Sequence, residues 1–243
     1  MPYRRLPNTD SARLKAMYIA EQKGSDLPPF KLAYSQNAFQ KLQSLLPAYE
    51  HALSEHKSCY NLQLEKSKGF TIHLKKAKLY LSHFIQVVNM AIARNELPSN
   101  TRSYFGLPED DKKMPSLNND EDIIRWGKML IEGEHKRKME GKTVITNPSI
   151  ALVKVHYDRF HEFYIYQDGL KSRTARAQED LNNKRNRSDQ LIQQIWNEVE
   201  NTFKDLPDEL KREKASEYGI IFFYRKSELQ NENLFDVARV NIG

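Results

Sequence analysis

A reactive centre in this chain would have to draw on its seven histidines, single cysteine and 32 acidic residues. Two histidines stand out because their spacing places them on apolar helical stripes, where a neutral imidazole needs a hydrogen-bond partner or a metal. His56 is in line with Leu42, Leu46, Tyr49 and Leu53, and His156 with Val153 and Phe160. If the chain turns back at Gly69, His56 lies thirteen residues before the turn (69 minus 56) and His83 fourteen after it (83 minus 69), level with each other across an antiparallel pair. His56 and His83 are therefore the metal candidates, although Glu55 points away by about 100° of helical turn and leaves the site short of ligands. A satisfied core histidine is the competing reading. Glu132 and His135 form one Glu-x-x-His pair of the kind that holds di-iron in helical bundles, but the second copy is missing and Lys136, Arg137 and Lys138 oppose a cation.

Phosphate and acyl-transfer chemistry find less support. Gly141-Lys142-Thr143 repeats the end of a phosphate-binding loop, yet Lys136 stands where the first glycine is needed and the run follows a helical pattern instead of a strand. There is no Gly-x-Gly-x-x-Gly and no Gly-x-Ser-x-Gly, and His161-Glu162 lacks the second histidine of a zinc protease. Cys59 alone can make neither an internal disulfide nor a thiolate zinc cage, so it reads as a small packing residue kept reduced in a cytoplasm. No catalytic residue and no cofactor is assigned.

Charge is the sharper signal. Residues 57–78 hold Lys57, Lys66, Lys68, Lys75, Lys76 and Lys78 against Glu65, a net of +5 (6 minus 1). Residues 171–187 hold Lys171, Arg173, Arg176, Lys184, Arg185 and Arg187 against Glu179 and Asp180, a net of +4 (6 minus 2). The whole chain carries +6, so the remainder is acidic at −3 (6 minus 9). Lys66, Lys68, Lys75, Lys76, Arg173, Arg176, Lys184, Arg185 and Arg187 are the candidate anion-binding residues. If both regions surround hairpin turns that share one pole, they make a basic tip able to attract nucleic acid or another polyanion, an acidic protein or anionic lipid heads. A solvated helical face is the alternative, and the absence of aromatic residues among the bases of 171–187 argues against single-strand stacking.

The elements that must position these residues are helical. The chain has 243 residues, of which 39% are hydrophobic and 29% charged, with only nine glycines and ten prolines, a composition that packs a core without fibre, collagen or membrane-span character. Phe39 to Tyr60 and Phe70 to Ile92 each carry an apolar stripe in steps of three and four, and predict an αα-hairpin turning at Ser67 to Gly69, with a kink or break near Leu46 caused by Pro47. A second hairpin is expected from an Asn147-Pro148 start, with a turn within Asn182 to Ser188. The expected fold class is an all-α four-helix bundle of two long antiparallel αα-hairpins with accessory helices and a small two-stranded element. It divides into an N-terminal helix and linker (1–30), a first hairpin (31–97), a connection with an accessory helix from Asn119 or Asp120 (98–146), a second hairpin (147–207) and a C-terminal extension (208–243), all one compact domain. The N-terminal helix is expected to be capped at Thr9 or Asp10 and stopped by Gly24, and Ile220 to Tyr224 to pair with Thr143 to Thr146. The aromatic run His156 to Tyr166 should be covered by the accessory helix and that strand rather than left as a partner surface.

Leu97-Pro98 and Leu206-Pro207 recur 109 positions apart (206 minus 97), trailed by Phe105-Gly106-Leu107 and Tyr218-Gly219-Ile220. Duplication and ordinary helix stop signals both account for this. The opening Met1-Pro2-Tyr3-Arg4-Arg5-Leu6-Pro7-Asn8-Thr9-Asp10 and the Asn147-Pro148-Ser149 helix start resemble those of uncharacterised bacterial α-helical-bundle proteins. The resemblance implies an all-helical bundle and carries no catalytic residue with it. The expectation is a cytoplasmic, non-enzymatic interaction or scaffold protein with a protein partner or self-association. A nucleic-acid or polyanion binder comes second and a metal-binding bundle enzyme third. No membrane span is expected.

Overall fold

A computed structural model describes residues 3–109 and 113–223. The order is β1 (Tyr3–Arg4), α1 (Asp10–Asp26), α2 (Gln36–Ala93), α3 (Thr101–Tyr104), α4 (Asp120–Met139), α5 (Ile150–Thr202), α6 (Asp208–Ser216) and β2 (Phe222–Phe223). The protein is all-α with one small antiparallel ribbon, in which Tyr3 pairs with Phe223 and Arg4 with Phe222. Thr143 to Thr146 forms no strand and Tyr224 lies outside the described residues, so the pairing expected for Ile220 to Tyr224 is replaced by pairing with the N-terminal segment.

Neither expected hairpin turn exists. Ser67 to Gly69 lies inside the 58-residue helix α2, and Asn182 to Ser188 inside the 53-residue helix α5. A helical glycine costs about 1 kcal/mol relative to alanine, and tertiary packing outweighs it here. The Phe163 ring lies over Gly69, where a Cβ would come within 3.1 Å of it, and Phe70 packs on Phe160 at 5.9 Å between ring centroids. In α5, Leu181 and Ser188 are fully buried, and Asn182 takes hydrogen bonds from Gln178 and Arg185 of its own helix. Pro47 does not break α2 either. Its ring sits on the exposed side, where water can satisfy the carbonyl left without a donor.

Each long helix therefore passes through two compact units. Unit 1 comprises Met1–Lys57 and Arg176–Gly243, and unit 2 Ser58–Ala175. A reading of one compact domain in five segments does not anticipate this division.

In unit 1, α1 and the first part of α2 pack on the last part of α5. Met17, Leu42, Leu46 and Tyr49 meet Leu181, Ile192, Ile195 and Trp196 in one core. Thr9 caps α1 by accepting from Ala12 N at 3.2 Å. The helix runs two residues beyond Gly24, whose missing side chain makes room for Phe39 and Tyr34. In unit 2, α4 and the first part of α5 pack on the last part of α2, and Leu81, Phe84, Ile85 and Val88 meet Ile123, Leu130, Val153 and Phe160. Asn119 caps α4, accepting from Asp122 N at 2.7 Å. Asn147 and Pro148 precede α5, whose first turn is capped by Ser149. The buried Glu134–Arg137 ion pair, at 2.5 Å, pins the connection between α4 and α5 by accepting from Ile145 N and donating to Thr143 O.

Part of the buried pattern of the two long helices recurs 111 positions apart, although buried Leu45, Leu46 and Ala52 correspond to half-buried His156, Tyr157 and Phe163 in that register. Leu42 and Val153 (153 minus 42), Tyr49 and Phe160, Cys59 and Leu170, Ala77 and Ser188, Leu81 and Ile192, Phe84 and Ile195, and Val88 and Val199 are all buried. Each long helix follows a shorter one and precedes another that ends in an aromatic residue, a left-handed glycine and a buried aliphatic. Gly106 has φ 68 between buried Phe105 and Leu107, and Gly219 has φ 84 between buried Tyr218 and Ile220. The helix ends recur at offsets of 109 and 113 positions (206 minus 97 and 218 minus 105) and these buried pairs at 111, which duplication and ordinary stop signals both accommodate.

Candidate interaction surface

The nine candidate anion-binding residues are divided between the two units. Lys66, Lys68, Lys75, Lys76 and Arg173 belong to unit 2, and Arg176, Lys184, Arg185 and Arg187 to unit 1. Neither basic region surrounds a hairpin turn, because residues 57–78 lie inside α2 and residues 171–187 inside α5. Several of the nine are engaged in their own unit. Lys66 pairs with Glu65 at 2.8 Å and Lys184 with Asp180 at 3.2 Å. Arg185 donates twice to Asp10, at 2.8 and 2.7 Å.

The metal candidates separate in the same way. His56 and His83 sit on one uninterrupted helix, 27 residues apart (83 minus 56), in different units. Among the described residues no group of three or more histidine, cysteine or acidic side chains is placed to hold a metal. Glu132 and His135 are both exposed. Gly141-Lys142-Thr143 follows the end of α4, where Lys142 N bonds back to Arg137 O at 3.0 Å, the geometry of a helix stop and not of a phosphate cradle.

What remains is a helical face in unit 2. Between Glu65 and Glu96 the sequence contains no acidic residue but carries Lys66, Lys68, Lys75, Lys76 and Lys78. Leu81, Phe84 and Val88 turn into the core, so helical geometry turns Leu64, Lys68, Ile72, Lys75, Leu79, His83 and Met90 outward along one stripe in steps of three, four and a final seven. Leu64, Ile72 and Met90 are each more than half exposed (56, 55 and 59%). Lys68, Lys75, Lys76 and Lys78 form no ion pair among the described residues.

The seam with α5 borders this stripe. His73 stacks on Phe163 at 4.3 Å and Tyr80 on His156 at 4.0 Å between ring centroids. Burial, then Lys76 and His73, lower the His156 pKa and favour the neutral ring. On α5 itself Val155, Ile165 and Tyr166 are exposed. The aromatic run is thus covered only in part. Tyr157 packs where Gly127 of α4 has no side chain and donates to Ile124 O, while the Phe222–Phe223 strand belongs to unit 1.

The sequence reading missed Glu134 and Arg137 as a buried pair. Their signal lay in the α4 stripe Ile123, Gly127, Leu130, Glu134 and Arg137, in steps of four and three, where opposite charges occupy core positions. No helix among the described residues is long and apolar enough to cross a membrane. The chain matches no known protein family, no curated protein and no solved structure.

Proposed function

We propose that this is a non-enzymatic interaction protein whose unit 2 docks an acidic, amphipathic segment of a partner protein along the α2 face. The observation that carries the reading is the acid-free stretch between Glu65 and Glu96, in which Lys68, Lys75, Lys76 and Lys78, without ion pairs among the described residues, are interleaved with exposed Ile72, Leu79 and Met90. Alternation decides among partners. A nucleic-acid backbone would use the lysines but leave the apolar side chains in water. A second copy meeting this face with its own would set lysine against lysine. An acidic helix with apolar residues at three- and four-residue spacing satisfies both kinds of side chain at once.

The test places a photo-reactive residue at Ile72 and, as a control, at exposed Glu209 of α6, in the full chain within its own cells. The expected product at Ile72 is a protein adduct whose crosslinked segment is acid-rich. Its yield should fall with added salt and in Lys68→Glu/Lys75→Glu, and should fall without that salt dependence in Leu79→Gln. A nucleic-acid adduct at Ile72 would transfer the surface to the polyanion reading. Equal adduct yields at Ile72 and Glu209 would remove the docking surface altogether.

A further inference from the structure

A second binding feature lies in unit 1 and is independent of the α2 face. The β1–β2 ribbon, the start of α1 and the segment after α6 border a cavity of about 390 Å³. Its wall is apolar, with the fully buried Trp196 at its base and Leu6, Ile19, Ile220 and Phe223 around it. Gly219, held at φ 84, adds no side chain to fill it.

Besides the neutral Asn8 and Ser216, the polar lining is charged with one sign only. The Arg5 guanidinium lies over the Phe223 ring at 5.5 Å from its centroid, and Lys15 projects from the adjoining face of α1. Neither forms an ion pair among the described residues, whereas neighbouring Arg4 is neutralised by Glu200 at 2.8 Å. No acidic residue is among the described residues that line the cavity.

We propose that this cavity is a binding site for a small amphiphilic monoanion, a carboxylate carrying an apolar body of about eight carbons. The volume falls at the lower end of the roughly 300–1,000 Å³ of small-molecule sites, where an apolar wall supplies affinity and a few charged groups set orientation. Transfer of a linear chain onto Trp196 and Ile220 removes apolar surface on both sides from water. The carboxylate then meets Arg5 and Lys15 without any acidic group to repel it. A neutral chain forfeits the charge contact, and a cationic one is repelled.

The probes are octanoate, octan-1-ol and octyltrimethylammonium, titrated into the full chain by calorimetry. Emission of Trp196 gives a second readout in a Trp126→Phe variant, since the chain has only two tryptophans. Octanoate should bind saturably with a dissociation constant below about 1 mM and shift the Trp196 emission. The alcohol should bind at least about tenfold more weakly, which one lost charge contact of ~1.4 kcal/mol would produce, and the ammonium compound should give no saturable signal. Arg5→Gln/Lys15→Gln should bring octanoate down to the level of the alcohol. Ala12→Leu, a good helix former that fills the cavity from α1, should abolish binding of both with the far-UV spectrum unchanged. Absence of saturable octanoate binding by calorimetry, or equal binding of the ammonium compound, overturns the proposal.

Discussion

Asp10, in the first turn of α1, ties three helices of unit 1 together. It accepts from Tyr49 of α2 at 2.6 Å and twice from Arg185 of α5, while Arg13, one turn on, is held by Asp189 at 2.7 and 2.9 Å. The hydrogen bond from Arg185 dominates in drawing the Asp10 carboxyl from 3.8 down to about 2, assisted by Tyr49 and opposed by burial. A depressed carboxylate stabilises the fold in full above its ordinary pKa, and that contribution is lost as pH falls from about 3.8 through about 2. The shift corresponds to on the order of 2 kcal/mol. Asp10→Asn should lower stability by about that amount at pH 7. It should also flatten the dependence between pH 4 and 2, as read by urea denaturation at several pH values. An unchanged pH dependence would show that the carboxylate is not coupled to folding. Arg185 entered the sequence reading as an anion-binding candidate because one-dimensional charge counting cannot see an acid 175 positions away (185 minus 10). Its anion is Asp10 of the same chain.

Helix type and stripe were legible in the sequence, as were the caps of α1 and α4, whereas α5 starts at Ile150 behind Ser149 instead of at Asn147-Pro148 and α1 runs past Gly24 to Asp26. Thr9 and Asn119 cap α1 and α4 as side-chain chemistry requires, and α4 spans almost the expected residues. The two misplaced turns share one cause. A stripe in steps of three and four continues unchanged through a single helix or through a hairpin whose turn is short, so the periodicity of residues 36–93 is equally consistent with both. Gly69 tips a local argument toward a turn, and only the aromatic ring of Phe163, far along the chain, shows why glycine is there. Gly169 in α5 offers a contrast, since nothing lies within 4 Å of where its Cβ would be. Gly169→Ala should therefore raise the stability of unit 2 by about 0.5–1 kcal/mol through reduced backbone entropy of the unfolded chain. Gly69→Ala brings a Cβ within 3.1 Å of the Phe163 ring, which must give by a few tenths of an ångström, and should therefore gain less than Gly169→Ala or nothing. Chemical denaturation of the two variants decides this. A gain at position 69 equal to that at 169 would mean that the Phe163 contact does not constrain the helix.

At the scale of the whole molecule, the recurrence of Leu-Pro and aromatic-Gly-aliphatic was visible in the sequence, but how the two halves share their cores was not, because it depends on which long helix each stripe meets. Each compact unit takes the first part of one long helix and the last part of the other. The N-terminal half of the chain, through Glu109, thus supplies residues 1–57 to unit 1 and 58–109 to unit 2, and completes neither. In it Leu42 and Tyr49 lack Ile192, Ile195 and Trp196, while Leu81 and Phe84 lack Val153 and Phe160. Chain cleavage in the connection between α3 and α4 costs little, because it severs no core helix, whereas separation of the halves opens both cores. Fragments 1–109 and 113–243 should each show reduced far-UV helicity and no cooperative unfolding as monomers. Their equimolar mixture should recover both and migrate as a one-to-one complex. A monomeric 1–109 fragment that unfolds cooperatively would mean that the hydrophobic stripe of α2 folds back on itself after all, and that the continuous helix needs α5 for neither of its halves.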